Sequence, residues 1–282
     1  MEYTHMEYLN GDLYLHDMQN FYLGNTLDSG QCFRWQKLSD GSWTGIAYGK
    51  NIRLGYLDRA LVLYKTAPED FFAVWNDYFD LDRDYGALSE CMSEDPVLAR
   101  ALAFAPGIRI LRQPPFETLC SFILSQNNNI KRIKGLVRRL CEQFGKPIED
   151  GNFAFPEPED LAGLTVEKLT PVRAGFRARY LLDAANKVSS GDISLSSLYT
   201  LPLEEARLAL RSIVGVGPKV ADCVLLYGFG RTECFPVDVW IARALRHLYP
   251  EGFPERFSAW GGIAQQTLFH YVRCCADALP SR

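Results

Sequence analysis

The sequence predicts an α+β protein in which an N-terminal antiparallel β-sheet domain precedes an all-helical body. Residues 8–66 contain short alternating segments rich in aromatic and aliphatic residues, and brief turns separate them. From about residue 69, large apolar residues recur at helical spacing instead, with Gly and Pro between the segments. We therefore expect a sheet domain over 1–92 and a helical domain over 93–282.

The individual elements follow from the same patterns. Three strands are predicted over 42–48, 51–56 and 59–64, joined by turns at 49–51 and 57–58. A helix over 69–80 could pack on either domain, and Pro114-Pro115 precedes an apolar helix over 116–126. Further helices are predicted at roughly 130–144, 158–163, 166–170, 177–189, 203–213, 218–227, 238–248 and 257–278.

Composition and charge narrow the class of protein. A chain of 282 residues with 48% hydrophobic content is globular, and none of its apolar runs could span a membrane. The acidic, polar N-terminus predicts an intracellular protein, placed in the cytoplasm or nucleoid of a bacterium or the nucleus of a eukaryote. The net charge of −4 argues against nucleic acid, but residues 1–100 hold 8 basic and 16 acidic residues, and the remainder holds 22 and 18. A local basic face on the second half could still bind phosphates.

The eight cysteines are scattered through mostly apolar contexts, which predicts reduced core thiols. Cys274 and Cys275 are adjacent near the C-terminus, and one such pair cannot hold an iron–sulfur cluster. We therefore expect no metal site and no cofactor.

The segment 211–240 carries the densest group of candidate functional residues. Gly215 and Gly217 form a tight hairpin before an apolar helix, and glycines let a backbone approach a phosphate closely. Lys219 lies in the first turn of that helix, where the positive end of the dipole favours a neutral, nucleophilic amine. A solvated surface lysine is the ordinary alternative, but an ammonium group is electrostatically misplaced at a helix start. Asp238 starts another helix and is a good N-cap.

Asn127, Asn128 and Asn129 interrupt the helical pattern because their side chains compete for backbone hydrogen bonds. The run is an interhelix loop, and its amides could also fill the gap left when a base is pulled from a duplex. Basic residues that surround the loop could contact phosphates or simply form a solvated face: Lys131, Arg132, Lys134, Arg138 and Arg139.

These motifs, together with the segments 29–35 (SGQCFRW) and 264–269 (AQQTLF), resemble the 8-oxoguanine DNA glycosylase/lyase family of the helix-hairpin-helix superfamily. The resemblance covers nearly the whole chain. It implies that Lys219 attacks C1′ of the damaged nucleoside, displaces the base and forms a Schiff base that permits strand cleavage by β-elimination. It also implies that Asp238 stabilises the developing sugar cation while it caps its helix.

The resemblance implies a base pocket as well. The Gly30 carbonyl would accept a hydrogen bond from N7–H of 8-oxoguanine, a proton that guanine lacks. Gln265 would read the Watson–Crick edge, and Phe269 and Cys223 would sandwich the ring. Without the family, Phe269 and Cys223 are ordinary core residues and Gln265 is an exposed one. A Cys223 thiolate would also compete with a free amine at Lys219, and the sequence leaves the protonation state open.

On the opposite strand, the resemblance implies that Asn127 inserts into the vacated space. Asn127, Arg132 and Arg177 would then read the orphaned cytosine, while Phe176 wedges the neighbouring stack. The chain departs from the family at three places: Ile213-Val214 precede Gly215 in place of Leu-Pro, Phe176 replaces a tyrosine, and Trp240 replaces a phosphate-binding histidine.

The function that follows is a bifunctional glycosylase and abasic-site lyase that excises 8-oxoguanine opposite cytosine from double-stranded DNA, as a monomer and without a membrane partner. One alternative is a related glycosylase for alkylated purines or oxidised pyrimidines, against which the SGQCFRW segment and the sheet domain argue. The other is a catalytically silent DNA-binding protein, against which the pairing of Lys219 with Asp238 argues.

Overall fold

The N-terminal region of the computed structural model, which describes residues 2–275 and 277–279, is a six-stranded sheet. Its order is β1-β2-β6-β5-β4-β3, and all neighbouring strands are antiparallel. The strands are β1 (His5–Leu9), β2 (Asp12–His16), β3 (Trp35–Lys37), β4 (Trp43–Ala47), β5 (Lys50–Leu57) and β6 (Ala60–Tyr64). The predicted antiparallel sheet is thus confirmed, with three more strands than the individual segments that the pattern resolved.

Local turn chemistry explains the tight hairpins of the sheet. Tyr48 and Gly49 both have positive φ, at 51° and 72°, which is the backbone of a type I′ turn between β4 and β5. Asn10 and Gly11 have positive φ in the same way between β1 and β2. These turns match the twist of the strands that they join, so the register is set locally.

A helix predicted from about residue 69 covers one face of the sheet. It consists of α2 (Pro68–Asp70), a π-helical turn (Phe71–Trp75) and α3 (Asn76–Tyr78). Phe71, Trp75 and Tyr78 are buried in one hydrophobic core with alternate side chains of the strands, whereas Phe72 is exposed. This core includes Leu13, Leu15, Trp35, Leu54, Leu63, Phe71, Trp75 and Phe79. The first helical segment after the strands therefore belongs to the sheet domain.

The helical body is built around α6 (Pro115–Ser125), whose residues Phe116 to Leu124 are all buried. A helix that is buried on every side must be surrounded, and α11 (Pro218–Phe229) packs directly against it. Short 3₁₀ segments connect several of the helices. The remaining helices are α1 (Leu23–Leu27), α4 (Tyr85–Ser93), α5 (Pro96–Phe104), α6 (Pro115–Ser125), α7 (Ile130–Phe144), α8 (Pro158–Leu161), α9 (Ala178–Ser189), α10 (Leu203–Arg211), α11 (Pro218–Phe229), α12 (Val239–Leu248) and α13 (Gly261–Cys274).

The two regions interlock rather than meet at a flat boundary. Tyr85 and Met92 of α4 join the helical core, although the sequence predicts that α4 belongs with the sheet domain over 1–92. Phe33, from the segment before β3, also packs into the helical core, while Leu111 packs into the sheet core. The fully buried Arg109 bonds the carbonyls of residues 20 and 80, at 3.1 and 2.7 Å. The segment before β3 is therefore held against the helical body.

Most predicted helices are present close to their predicted bounds, including 130–144 and 218–227. The segment 166–170 is different, because it forms turns that lead into a 3₁₀ helix at Thr170–Val172. Pro171 lies inside that segment and lacks the N–H that a continuing α-helix would use. No helix in the described ranges has the length and apolarity needed to cross a bilayer.

Candidate active site

The loop between α10 and α11 uses its two glycines differently. Gly215 has a φ of +84°, and a Cβ at this position would overlap the Tyr180 ring. Gly217 is the N-cap of α11 with a φ of −93°, is exposed, and has nothing within 4 Å of where its Cβ would lie. Gly215 is therefore required by the fold, whereas Gly217 leaves open space beside the first amides of the helix.

Helix α9 holds this hairpin in place. The Asp183 carboxylate accepts a hydrogen bond from the Val214 N–H at 2.7 Å. Lys187 donates to the Ser212 carbonyl at 2.6 Å and pairs with Asp183 at 3.0 Å. These bonds fix the loop on its protein side and leave the helix start of α11 facing outward, in the arrangement that suits an anion.

Lys219 is the second residue of α11, directly after Pro218, and it is half-buried. Its Nζ atom lies 5.1 Å from the centre of the Phe122 ring. Phe122 is stacked on Tyr227 at a centroid distance of 5.3 Å and an interplanar angle of 14°. The amine thus stands on an aromatic platform contributed by α6 and α11, which limits where it can point.

Cys223 lies one turn after Lys219 and is 3% exposed. Burial raises the pKa of its thiol to about 11, and the charge of Lys219 and a hydrogen bond from it oppose that shift. The nearby carboxylates of Asp222 and Asp238 raise the pKa further. The raised pKa favours the protonated thiol at neutral pH.

Asp238 is the N-cap of α12, as predicted. Its Oδ1 atom accepts from the N–H groups of Trp240 and Ile241, at 3.0 and 2.9 Å. Both bonds go to one oxygen, so the other carboxylate oxygen lies outside the cap. The charges of Lys219 and Asp238 both act on the Cys223 thiol, and they move its pKa in opposite directions.

The Gly30 turn lies against the predicted base pocket. Gly30 has a φ of +88°, and a Cβ there would lie 3.1 Å from Arg273 Nη1, 3.1 Å from Ile130 Cδ1 and 3.6 Å from Phe269 Cε1. Gly30 and Phe269 are thus neighbours, although 239 positions separate them in the sequence. Ile130 begins α7, so the asparagine loop adjoins the same turn.

Gln265 lies on the same helix as Phe269 and is 4% exposed, not the surface residue that the bare sequence suggests. Its Nε2 atom donates to the Pro236 carbonyl at 2.9 Å, two positions before Asp238. Its Oε1 atom is buried and has no hydrogen-bond partner among the residues that the structure describes. A buried acceptor without a partner is a group that a ligand can satisfy.

The three asparagines between α6 and α7 have separate roles. Asn129 caps α7 by accepting from the Arg132 N–H at 2.9 Å, and Asn128 donates to the Leu124 carbonyl at 2.8 Å. Asn127 is exposed and has a φ of +50°, a left-handed conformation that asparagine tolerates better than most residues. The loop therefore presents the Asn127 side chain outward.

Arg177 is only 4% exposed and holds this loop through its backbone carbonyls. It donates to the Gln126 carbonyl from Nε at 2.8 Å and to the Asn127 carbonyl from Nη2 at 3.2 Å. Burial lowers the pKa of its guanidinium, and so does the charge of exposed Arg132. Phe176 is 51% exposed, and the Arg177 guanidinium carbon lies 4.3 Å from its ring centre. Arg177 therefore positions the loop, and the Phe176 ring lies exposed beside it.

Sequence reasoning missed the side chains that surround the Gly30 turn: Gln113, Tyr227, Gln266 and Arg273. No local signal marks them, because each acts on a segment far away in the chain. Two cavities, of about 540 and 840 Å³, border the sheet domain, and neither is lined by Lys219 or Asp238. Within the described ranges, no group of three His, Cys, Asp or Glu residues could hold a metal ion.

Comparison with known proteins identifies the family of this chain. The family described as "8-oxoguanine DNA glycosylase, N-terminal domain" matches residues 14–119, and the "HhH-GPD superfamily base excision DNA repair protein" family matches residues 120–252. An N-glycosylase/DNA lyase of Saccharomyces cerevisiae is 34% identical over 262 residues, which cover 80% of this chain and 68% of the relative.

Two solved structures extend the similarity to nearly the whole fold. MBOgg1, solved with a low-affinity DNA ligand, is 46% identical with a TM-score of 0.92, covering 97% of this chain and 99% of that one. The Clostridium acetobutylicum 8-oxoguanine glycosylase/lyase, in complex with double-stranded DNA containing cytosine opposite 8-oxoG, is 37% identical, with a TM-score and coverage of the same size. This chain therefore belongs to the N-glycosylase/DNA lyases of the 8-oxoguanine DNA glycosylase family, within the helix-hairpin-helix superfamily of base-excision repair proteins.

Proposed function

We propose that this enzyme flips 8-oxoguanine out of duplex DNA, excises it when it lies opposite cytosine, and then cleaves the abasic strand through a Lys219 Schiff base. The observation that carries the proposal is a chain of contacts from Lys219 to the Gly30 turn. The Lys219 Nζ atom lies 5.1 Å from the Phe122 ring centre, and Phe122 stacks on Tyr227. The Tyr227 hydroxyl bonds Gln266, which donates to the Ser29 carbonyl. Phe269 lies beside Gly30, and Gln265 on the same helix donates to the Pro236 carbonyl, two positions before Asp238. Membership of the family supports the same reaction.

The reaction assigns a balanced step to each group. The neutral Lys219 amine attacks C1′, the bond from C1′ to N9 breaks, and its electron pair leaves with the base, which takes up a proton. The amine loses a proton, the bond from C1′ to O4′ breaks as O4′ takes up a proton, and a protonated Schiff base forms between Nζ and C1′. Loss of a proton from C2′ then expels the 3′ phosphate by β-elimination. The free oxygen of Asp238 faces the positive charge that develops on the sugar.

Recognition of the opposite strand rests on the asparagine loop. Asn127 has an outward side chain and a conformation stabilised by Arg177, and Arg132 is exposed beside it. We propose that Asn127 fills the space of the flipped base, that Arg132 and Arg177 contact the orphaned cytosine, and that Phe176 wedges the stack. Arg177 would give up part of its bonding to the loop when DNA binds.

The deciding experiment is single-turnover cleavage of duplexes with 8-oxoguanine opposite each of C, A, G and T, with and without borohydride. Fast excision opposite C, a trapped covalent adduct and weak action opposite A are expected. Arg132→Ala should reduce the preference for C over A by about tenfold, the loss of one good base contact. Lys168→Gln, an exposed change outside the site, is the matched control and should leave the preference unaltered.

Two results would contradict parts of the proposal. Equal excision opposite all four bases would leave the enzyme intact and remove the roles of Asn127, Arg132 and Arg177 in reading cytosine. DNA binding without excision would instead favour a catalytically silent protein. Release of a methylated purine in preference to 8-oxoguanine would point to the glycosylases for alkylated bases.

A further inference from the structure

The backbone carbonyls on either side of Gly30 are held by side chains from distant parts of the chain. The Asp28 carbonyl accepts a hydrogen bond from Arg273 Nη2 at 3.2 Å. The Ser29 carbonyl accepts one from Gln266 Nε2, also at 3.2 Å. Both donors belong to α13, so the last long helix fixes two successive peptide groups in the turn before β3.

The Gln31 carbonyl is held by a residue from another part of the chain. Gln113 Nε2 donates to the Gln31 carbonyl at 2.8 Å. The Gly30 carbonyl lies between these fixed groups, and no donor bonds to it from any residue in 2–275 or 277–279. Of the four carbonyls from 28 to 31, this one is left to accept a hydrogen bond from outside the chain.

The two glutamines that donate to these carbonyls are themselves held by one tyrosine. Gln266 is 1% exposed, and its Oε1 atom accepts a hydrogen bond from the Tyr227 hydroxyl. Because that bond engages the oxygen, the amide nitrogen must face the Ser29 carbonyl. The Tyr227 carbonyl in turn accepts from the Gln113 backbone N–H at 2.7 Å. Tyr227 therefore anchors both Gln113 and Gln266. These two residues and Arg273 are called the clamp below.

The same tyrosine connects the turn to the catalytic lysine. Its ring stacks on Phe122, and Phe122 carries Lys219 on its face. The positions of the Gly30 carbonyl and of Lys219 thus both depend on contacts with Tyr227. A shift of either glutamine would change the direction of the Gly30 carbonyl relative to a base held beside Lys219.

We propose that Gln266, Gln113 and Arg273 are positioning residues that aim the Gly30 carbonyl at N7–H of 8-oxoguanine and so set the discrimination against guanine. This inference rests on the proposed function. A carbonyl with a fixed direction accepts a hydrogen bond from a base that has a proton at N7. The same carbonyl has no partner when guanine is bound. Cleavage of a preformed abasic site uses Lys219 without any base, so it does not depend on the clamp.

The test separates excision from strand cleavage in one variant. Gln266→Met keeps the side-chain length and removes both hydrogen bonds, and Tyr227→Phe removes only the hydroxyl that orients Gln266. Thr267→Val is the matched control, because Thr267 is the neighbouring buried residue and its hydroxyl bonds the Ile263 carbonyl, away from the turn. Single-turnover rates are measured on 8-oxoguanine opposite C and on an abasic site opposite C in the same duplex.

For Gln266→Met we expect excision to fall by about tenfold or more, the effect of losing one or two buried hydrogen bonds, with abasic cleavage within about twofold of wild type. Tyr227→Phe should act in the same direction and less strongly, and Thr267→Val should change neither rate. In a Lys219→Gln background, Gln266→Met should also reduce the ratio of affinities for 8-oxoguanine and guanine duplexes. That ratio would not move if the change merely lowered stability.

Several outcomes overturn the inference. An equal loss of excision and abasic cleavage would mean that Gln266 supports the whole site, and unaltered excision would mean that the clamp is not used. If Gln266→Met does not fold, Arg273→Lys gives the same comparison at a half-buried position. A wild-type enzyme that excises no 8-oxoguanine would instead remove the proposed function itself.

Discussion

The proposed catalytic groups and the proposed recognition groups are positioned by different kinds of structure. Lys219 and Asp238 each take their place from the start of their own helix, within a few residues of the side chain. Gly30 and Asn127 depend on partners far along the chain. Arg273 reaches the Asp28 carbonyl across 245 positions, and Arg177 reaches the Asn127 carbonyl across 50.

The difference suggests that chemistry and selectivity can be damaged separately in this fold. A helix start carries its own geometry, so a change at Lys219 or Asp238 should remove chemistry with little loss of folding. A turn held by distant side chains has no such local definition. Changes around it should alter selectivity, and they can do so from positions that touch neither DNA nor the reacting atoms.

The largest expected effect is at Lys219. Lys219→Gln should abolish borohydride trapping and lower excision by about 10⁴-fold or more, because the amine is the proposed nucleophile in both steps. The melting temperature should change little, since the side chain is half-buried and interacts with the Phe122 ring and the Cys223 thiol. Trapping at the wild-type level would assign the nucleophile to another residue.

Asp238→Asn tests whether a cap and a catalytic group coincide. Asparagine caps helices about as well as aspartate, so the free energy of unfolding should change by less than about 1 kcal/mol. Excision should nevertheless fall by about 10²- to 10³-fold, because the charge that faces the sugar cation is lost. Both are measured on one preparation, by urea unfolding and by single-turnover cleavage.

A second variant separates the two roles. Asp238→Ala removes charge and cap together and should lower the free energy of unfolding by about 1 kcal/mol relative to Asp238→Asn. Its excision rate should match that of the asparagine variant. An asparagine variant with full activity would leave Asp238 with its capping role alone.

The same contrast explains what could be predicted from the sequence. The start of α11, the cap at Asp238 and the loop at 127–129 follow from local chemistry, and each lies where the pattern predicts. The sheet follows from alternation and from turn residues. Family resemblance supplied the roles of Gly30 and Phe269, and the structure places those residues side by side.

What could not be predicted depends on packing between distant segments. Neither spacing nor composition indicates that Arg177 is buried against the asparagine loop or that the Gln265 side chain of α13 is buried. The bonds from Gln113 and Gln266 to the Gly30 turn join residues that are 82 and 237 positions apart. A single sequence carries no periodic signal for such pairs, because they arise only once the sheet domain and helical body are assembled.

The two hairpin glycines sharpen the comparison within one loop. Gly215→Ala should lower the free energy of unfolding by about 1–3 kcal/mol, because its φ of +84° and the Tyr180 ring both oppose a Cβ. Gly217→Ala should leave stability within about 0.5 kcal/mol, since its backbone is extended and its surroundings are open.

For DNA affinity, the substitution at Gly217 should have the larger direct effect. If a phosphate approaches the start of α11, Gly217→Ala should weaken affinity for an abasic-site duplex by several-fold at constant salt, because a methyl group would lie in its path. The loss of affinity in Gly215→Ala should follow its loss of folded protein. Equal effects of the two substitutions on both measurements would contradict this division of roles.

The last prediction concerns Cys223, and it tests whether the lysine site contains an ion pair. Burial raises the pKa of this thiol from 9.0 to about 11, so folding favours its protonated form. A group with a raised pKa stabilises the folded state fully below the unfolded pKa and loses that contribution as pH rises toward the folded pKa. The free energy of unfolding of wild type should exceed that of Cys223→Ala by a constant amount from pH 7 to 8.5. This difference should shrink between pH 9 and about 11, by up to about 2 kcal/mol. Cys274→Ala, at an exposed position, is the control. An advantage that instead grows with pH over this window would indicate a thiolate paired with Lys219, and the neutral-thiol assignment would be wrong.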